Sequence, residues 1–256
     1  MSNPLIIGYL TIVRKETHRI FRIWTQTILP SVVTQSLYFI IFGGLIGSRI
    51  GEVSGMSYAA FLVPGLVMMA AITNSFSNVA SSFFGAKFQR SIEEILVSPM
   101  KPWVILAGYV TGGVVRGTVV GAAVFVVSAL FTRVAVSHVF FLVFFLLITC
   151  IIFSLLGFLN ALFARKFDDV GIVPTFLLTP LTYLGGVFYS LSYLPLFWRN
   201  VSYGNPIVYM IDGFRFGFSG VAATNVYVSA LILVVVAVVL VGIALGLLKR
   251  GTGLKT

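Results

Sequence analysis

Few side chains in this sequence are placed to do covalent chemistry. Glu93 and Glu94 are of the residue type that acid–base work uses, yet neighbours on a helix point in different directions, and no base accompanies them. Serines are plentiful, but only His18 and His138 could serve as imidazole bases. The topology derived below sets them on opposite sides of a membrane, so a hydrolase triad is not expected. Cys150 is the single cysteine and lies in an apolar run, which excludes an intramolecular disulfide or a Cys-based metal site. No glycine directly precedes a lysine, so the phosphate-cradling loop G-x-x-x-x-G-K-[ST] is absent. The chain is therefore expected to carry no catalytic residue, no metal and no cofactor of its own, and not to hydrolyse ATP itself.

The informative polar residues sit inside apolar sequence. One candidate stripe carries Thr27, Ser31, Thr34 and Gln35 with Pro30 beside them; a second carries Asn74, Asn78 and Ser81; a third carries Thr175, Thr179, Thr182 and Gly186. Each repeats every three or four residues. In hydrocarbon such faces turn inward, either to hydrogen-bond neighbouring helices or to line a wet pathway. A lining of this kind is polar, uncharged and rimmed by aromatics, which suits an amphipathic solute better than an inorganic ion. Gly113, Gly117 and Gly121 form a small-residue face that lets another helix approach closely. Arg116 lies near the middle of the same run, where a charge costs about 2.5–3.5 kcal/mol on insertion scales. Either it faces protein and braces the bundle through carbonyls or an acid, or the span is shifted and Arg116 lies near an interface.

The elements that must hold these residues follow from composition. Of 256 residues, 59% are hydrophobic and 9% charged, with a mean hydropathy of +1.06, far from soluble usage. A soluble core cannot absorb so much apolar sequence. A bilayer can, because a helix of roughly 20 residues crosses about 30 Å of hydrocarbon with its own backbone hydrogen bonds satisfied. Apolar runs at about 23–46, 58–83, 102–131, 138–163, 171–191 and 226–248 give six expected spans in a single membrane domain covering 1–256. The net charge of +10 does not indicate nucleic acid, because the cations fall in short clusters between apolar runs. Arg14, Lys15, Arg19, Arg22, Lys87, Arg90, Lys101, Arg165, Lys166, Lys249, Arg250 and Lys255 share one side. Arg49, Arg133, Arg199 and Arg215 share the other. The positive-inside rule then puts both termini in the cytoplasm. A cleaved signal peptide is not expected, since the first long apolar run begins only after Arg14–Arg22 and continues too far.

Three segments depart from a plain bundle. Residues 4–22 read as a basic amphipathic helix in the membrane interface, the alternative being a merely positive flank that sets topology. Ile6, Tyr9, Leu10, Val13 and Ile20 face one way, and Thr11, Arg14, Lys15, His18, Arg19 and Arg22 the other. The loop after the second run places Phe88, Ile92, Ile95 and Leu96 on one helix face, framed by Lys87, Arg90, Glu93 and Glu94 and stopped by Pro99. Such a helix either docks into a groove on a soluble partner or rests on its own bundle. Between 192 and 225 the chain is apolar and aromatic but broken by Pro and Gly. That pattern reads as an external re-entrant pair of short helices, with Trp198, Tyr203 and Tyr209 at interface depth.

At this point a resemblance is visible. Leu194-Pro195, ten residues, then Pro206-Ile207-Val208-Tyr209, and Arg215 after five more reproduce the signature that precedes the last span in type-2 ABC transporter permeases. The strings FFGAKFQRSIEEILVSP, FDDVGIVPTFLLTPLTYLGGVFYSL and NPIVYMIDGFRFGFSG resemble the same family, and the likeness extends over essentially the whole chain. The resemblance implies an all-α exporter subunit of the inner membrane. It would act as a dimer, the second copy completing the pathway, above two ATPase subunits that bind ATP and Mg. It also implies that the first cytoplasmic loop, with Phe88, Gln89, Arg90, Ile92, Glu93, Glu94, Ile95 and Leu96, is the helix that couples to the ATPase. The hairpin with Leu194, Pro195, Trp198, Pro206, Tyr209 and Arg215 would cap the exit. Two rivals are an ion-coupled secondary transporter, against which stand the absent internal repeat and the acid-free spans, and a membrane assembly factor without transport activity.

Overall fold

A computed structural model describes residues 4–53, 55–98, 100–132 and 136–253. Pro99, Arg133 and Lys255, to which roles are assigned above, lie outside the described residues, as does the side chain of Leu96. Helix dominates. In chain order the helices are α1 (Pro4–Arg22), α2 (Trp24–Thr27), α3 (Leu29–Tyr38), a π-helical stretch Phe39–Ile46 and α4 (Gly47–Ile50). A two-rung antiparallel ladder, β1 (Glu52–Val53) with β2 (Met56–Ser57), turns the chain back. There follow α5 (Tyr58–Phe88), α6 (Ser91–Val97), α7 (Pro102–Phe131), α8 (Val139–Phe163) and α9 (Phe167–Val173). A π-helical stretch Pro174–Leu178, α10 (Thr179–Leu184), a 3-10 turn Leu191–Tyr193, α11 (Leu196–Tyr203), α12 (Pro206–Ser219) and α13 (Val226–Lys249) follow.

Five helical segments are long and apolar enough to cross a membrane: Trp24–Ile50, α5, α7, α8 and α13. The shortest has 24 residues, which at 1.5 Å per residue is about 36 Å and exceeds the hydrocarbon thickness. The sixth expected run, 171–191, falls short of that standard. Its helix starts earlier, at Phe167, and stops at Leu184. Asp168 and Asp169 in its first turn, with Pro174, Pro180 and three threonines behind them, make it less apolar than the other five. Gly185 and Gly186, the latter at φ +78°, then turn the chain out of the helix.

The bundle is organised around α5, which packs against α7 and α8 on two sides and is buried along most of its length. Its Phe76 and Phe83, with Phe145 and Phe158 of α8 and Tyr109 of α7, are fully buried. Close approach is permitted by glycine: a Cβ on Gly157 of α8 would meet the Phe76 carbonyl. Gly113 and Gly117 of α7 similarly face Ser154 and Cys150 of α8 and Val79 and Ser75 of α5. The α1 helix lies along α7. Gly108 and Gly112 make that possible, since a Cβ on either would stand 2.7 Å from Ile12 or Glu16.

Candidate functional site

The segment after α5 differs from the sequence reading in its details. Helix α5 runs on to Phe88, so Phe88 and Lys87 end the long helix and do not belong to the short one. Gln89 and Arg90 form the corner, with Arg90 at φ 59°, an uncommon backbone for a residue with a Cβ. The expected stripe is also split. Ile92 is buried in the bundle core and Ile95 half-buried beside it, while Phe88, Glu93, Glu94 and Val97 are exposed. The short helix therefore rests on its own bundle by Ile92 and presents two carboxylates and Val97 outward. Lys87, expected among the framing charges, is buried instead. Its Nζ donates to the carbonyls of Leu162 (3.0 Å) and Ala164 (2.8 Å), oxygens that the end of α8 leaves without helical partners.

A polar ladder runs up one side of α5, one turn per rung. Asn74 donates to Ser31 Oγ of α3 at 2.9 Å and accepts from Arg116 Nε of α7 at 3.2 Å. Arg116 is thus held at mid-helix by a side-chain amide and not by an acid. On the next turn Asn78 accepts from Arg19 through both its backbone carbonyl (3.1 Å) and its Oδ1 (2.9 Å). One turn further, Ser82 donates to Glu16. Glu16 is fully buried and pairs with Arg19 at 2.9 Å. Arg19 was expected on the cationic face of α1; the pair draws it toward α5, leaving Arg14, Lys15, His18 and Arg22 exposed. The buried face of α1 is Ile12, Glu16 and Ile20, and Ile6 and Leu10 of the expected apolar face are exposed. Glu16 and Ser82 were missed because a lone acid on a basic helix gives no period; its position four residues from Ile12 and Ile20 was the available signal.

The remaining stripe residues divide into bonded and open. Thr27 and Thr182 are buried and donate to nearby backbone carbonyls, those of Ile20 at the end of α1 and Ile23 for the first and of Leu178 for the second. Gln35 is buried. Thr34, Ser81, Thr175 and Thr179 are exposed in the single chain. Ser81 belongs to an open stripe of α5 with Thr73 and Ser77, spaced by four and one position off the asparagine rungs. Thr73 and Ser77 were overlooked because the asparagines dominated the pattern. One helix thus uses one polar face for its neighbours and leaves the other uncovered.

The broken segment 192–225 forms part of the bundle at the end opposite the basic clusters of α7 and α13. Asn205 caps α12 by accepting from Ile207 N (3.0 Å) and donates to the Leu181 carbonyl (2.6 Å). Pro206 takes the first helical position, where its missing N–H costs nothing. Arg215 donates to the Gly186 carbonyl at 2.9 Å, and its guanidinium lies 3.9 Å from the centroid of the Phe61 ring. It is therefore a packed brace, not one of the topological surface charges with which it was grouped. Asp212 accepts from the N–H groups of Ala223 (3.0 Å) and Thr224 (2.8 Å), fixing the approach to α13. Pro195 precedes α11, Trp198 is half exposed, and Tyr209 donates to the Tyr203 carbonyl at 2.8 Å. His138 stacks on Phe216, 5.0 Å between ring centres, and His18 is exposed on α1, so the two imidazoles do not meet.

No group of three or more His, Cys, Asp or Glu side chains among the described residues could hold a metal ion. The arrangement binds helices to one another and leaves a few polar and acidic faces open. Comparison with known proteins agrees with this character. The chain is 56% identical over 242 residues, 94% of each protein, to the inner membrane transport permease YadH of Escherichia coli K12. It is 24% identical over 225 residues to Nodulation protein J of Rhizobium leguminosarum bv. viciae, covering 88% of this chain and 87% of that one. Residues 8–219 match the ABC-2 type transporter model, a span that takes in most of α1, the acidic short helix and the Pro206–Arg215 brace. The chain accordingly belongs to the ABC-2 type transporter family, as a membrane permease subunit and not itself an ATPase.

Proposed function

We propose that this subunit is the transmembrane half of an ATP-driven exporter of the inner membrane, driven through α6 by a separate ATPase that holds the ATP and Mg. Six spans are counted in this reading, with the run 171–191 as the fifth, and both termini cytoplasmic. The strongest support is the form of α6. Ile92 anchors it in the core while Glu93, Glu94, Val97 and the neighbouring Phe88 point outward, so a partner that pushes on the exposed side acts directly on the end of α5. The inner-membrane placement follows that of the Escherichia coli relative, an inner membrane transport permease.

The pathway in this reading lies between two copies of the chain. The first span is largely uncovered, with Leu29, Val33, Leu37 and Ile40 exposed. Open hydroxyls on Thr34, Thr73, Ser77, Ser81, Thr175 and Thr179 offer an uncharged lining for an amphipathic cargo. The hairpin α11–α12, dipping in from the external side, closes the exit. Copurification with a candidate ATPase, followed by permease-dependent ATP turnover in liposomes, tests the assignment. Glu93→Lys/Glu94→Lys should leave the permease folded and cut permease-stimulated turnover at least tenfold. Turnover and transport at the unaltered level would remove α6 from the coupling role.

A further inference from the structure

A second open surface lies on the side of the bundle where α13 meets α7 and α8. There a groove of about 520 Å³ is walled by Trp103, Val110, Val114, Ile151, Leu155 and Leu245, with almost no polar surface. Its volume is that of a small-molecule pocket, roughly 300–1,000 Å³, and it is open along one side. From Trp103 to Val114 the α7 wall rises eleven positions, about 16 Å, which is close to half of the ~30 Å hydrocarbon layer. The groove is therefore one leaflet deep. It begins at the basic end of the bundle. Lys101 immediately precedes α7, and Lys249 follows Leu245 by one turn on α13, so the groove mouth is flanked by two cations. Both are exposed, and neither has an acidic partner within ion-pair distance among the described residues.

We propose that this groove is a binding site for an anionic phospholipid, one acyl chain lying along α7 and α13 with its phosphate between Lys101 and Lys249. The apolar walls alone would accept any chain; the paired cations at the mouth select the headgroup charge. Trp103, at the headgroup end of the groove, is a built-in reporter. Trp24→Phe/Trp198→Phe leaves Trp103 as the only indole, since the sequence holds three tryptophans. The full-length variant is reconstituted in phosphatidylcholine vesicles doped with phosphatidylglycerol or phosphatidylcholine brominated near the headgroup, and quenching of Trp103 is titrated. Anionic lipid should quench at roughly tenfold lower mole fraction than zwitterionic lipid, given the attraction of each cation to an anionic surface. Lys101→Gln/Lys249→Gln should bring the two curves together, and Ala107→Phe, which fills the groove, should abolish the preference with Lys101 and Lys249 in place. Equal quenching by both lipids in the reporter protein would mean bulk lipid only and overturn the proposal. So would weak quenching by both, the result expected if a second copy of the chain covers the groove, or a preference that survives loss of both lysines.

Discussion

Removing the Glu16 carboxylate tests whether α1 is a docked element of the bundle or a loosely held interfacial helix. Glu16 is fully buried against Gly112, bonded to Ser82 Oγ and paired with Arg19 at 2.9 Å. Truncating one partner of a buried pair costs about 3–5 kcal/mol when the other is left uncompensated. Arg19 is not left so: its side chain is 24% exposed and keeps both Asn78 oxygens. Those two facts bring the expected loss for Glu16→Ala to ~2 kcal/mol, of which the lost Ser82 bond supplies ~0.6 kcal/mol on the scale of interhelical bonds in membranes. At 2–4 °C per kcal/mol for a chain of this size, the melting temperature in detergent should fall by about 4–8 °C. Changing both partners together, Glu16→Ala with Arg19→Met, removes the charge and its counter-charge and should cost less than the sum of the single changes by ~1 kcal/mol or more. Scanning fluorimetry on the four proteins of this cycle measures the coupling. An unaltered melting temperature for Glu16→Ala, with a coupling energy near zero, would show that α1 is held by Ile12 and Ile20 alone.

Four further outcomes follow from individual residues. Gly157→Ala puts a methyl against the Phe76 carbonyl, which is backbone and cannot rotate aside, so stability should fall by about 1–3 kcal/mol. Gly242→Ala, with nothing within 4 Å, should be neutral or gain up to ~1 kcal/mol from helix propensity; denaturant titration separates the two. Lys87→Met strands the Leu162 and Ala164 carbonyls and should cost about 1–3 kcal/mol, read as faster amide exchange at the end of α8. Asp169 accepts from Arg165 N (2.8 Å) and Lys166 N (3.0 Å), and these two bonds hold its carboxyl below the ordinary carboxylate range. A depressed folded value means its contribution is present above the unfolded pKa and lost as pH falls through the folded one. Exchange protection of those two amides should therefore persist at neutral pH and disappear only in acid, and Asp169→Asn should remove that pH dependence.

Segments with a strong single period were legible in the sequence. The runs later seen as α5, α7, α8 and α13 were placed within a few residues at all but one end, because apolar length alone defines a membrane helix. The end of α5 was missed because its last turn is closed by Lys87, whose charge reads as a loop until the α8 carbonyls that it reaches are known. The split of the short helix was hidden for a related reason: Phe88 and Ile92 are in helical register, and only the αL corner at Arg90 breaks the face between them. Periodicity could find polar stripes but not assign them, since Asn74 and Thr73 lie on adjacent positions and face opposite environments. The Pro206–Arg215 spacing was visible as a pattern, while its reason, a guanidinium holding the Gly186 turn against Phe61, needs two segments nearly thirty and more than a hundred residues away.

These contacts make α5 the element through which the parts of the subunit act on one another. Its last turn ends in the corner that carries α6, and Lys87 on that turn is bonded to the end of α8. Ser82 and Asn78 then fix it to α1, and Asn74 fixes it to α7 and α3, each through a directional bond in an apolar setting. Such bonds resist sliding by a fraction of a turn, because a displaced rung leaves a polar group unpaired where no water replaces the partner. A displacement imposed at α6 is therefore expected to carry α1 and α5 together as a rigid pair and to be taken up where no rung exists, along the uncovered Thr73–Ser77–Ser81 face and in the π-helical stretch Phe39–Ile46. Spin labels at Lys15 and Gln89 should keep their separation through the ATP cycle while labels at Gln89 and Leu45 change theirs. A change in the first distance as large as that in the second would mean that the ladder yields, and that α1 moves independently of the helix it is bonded to.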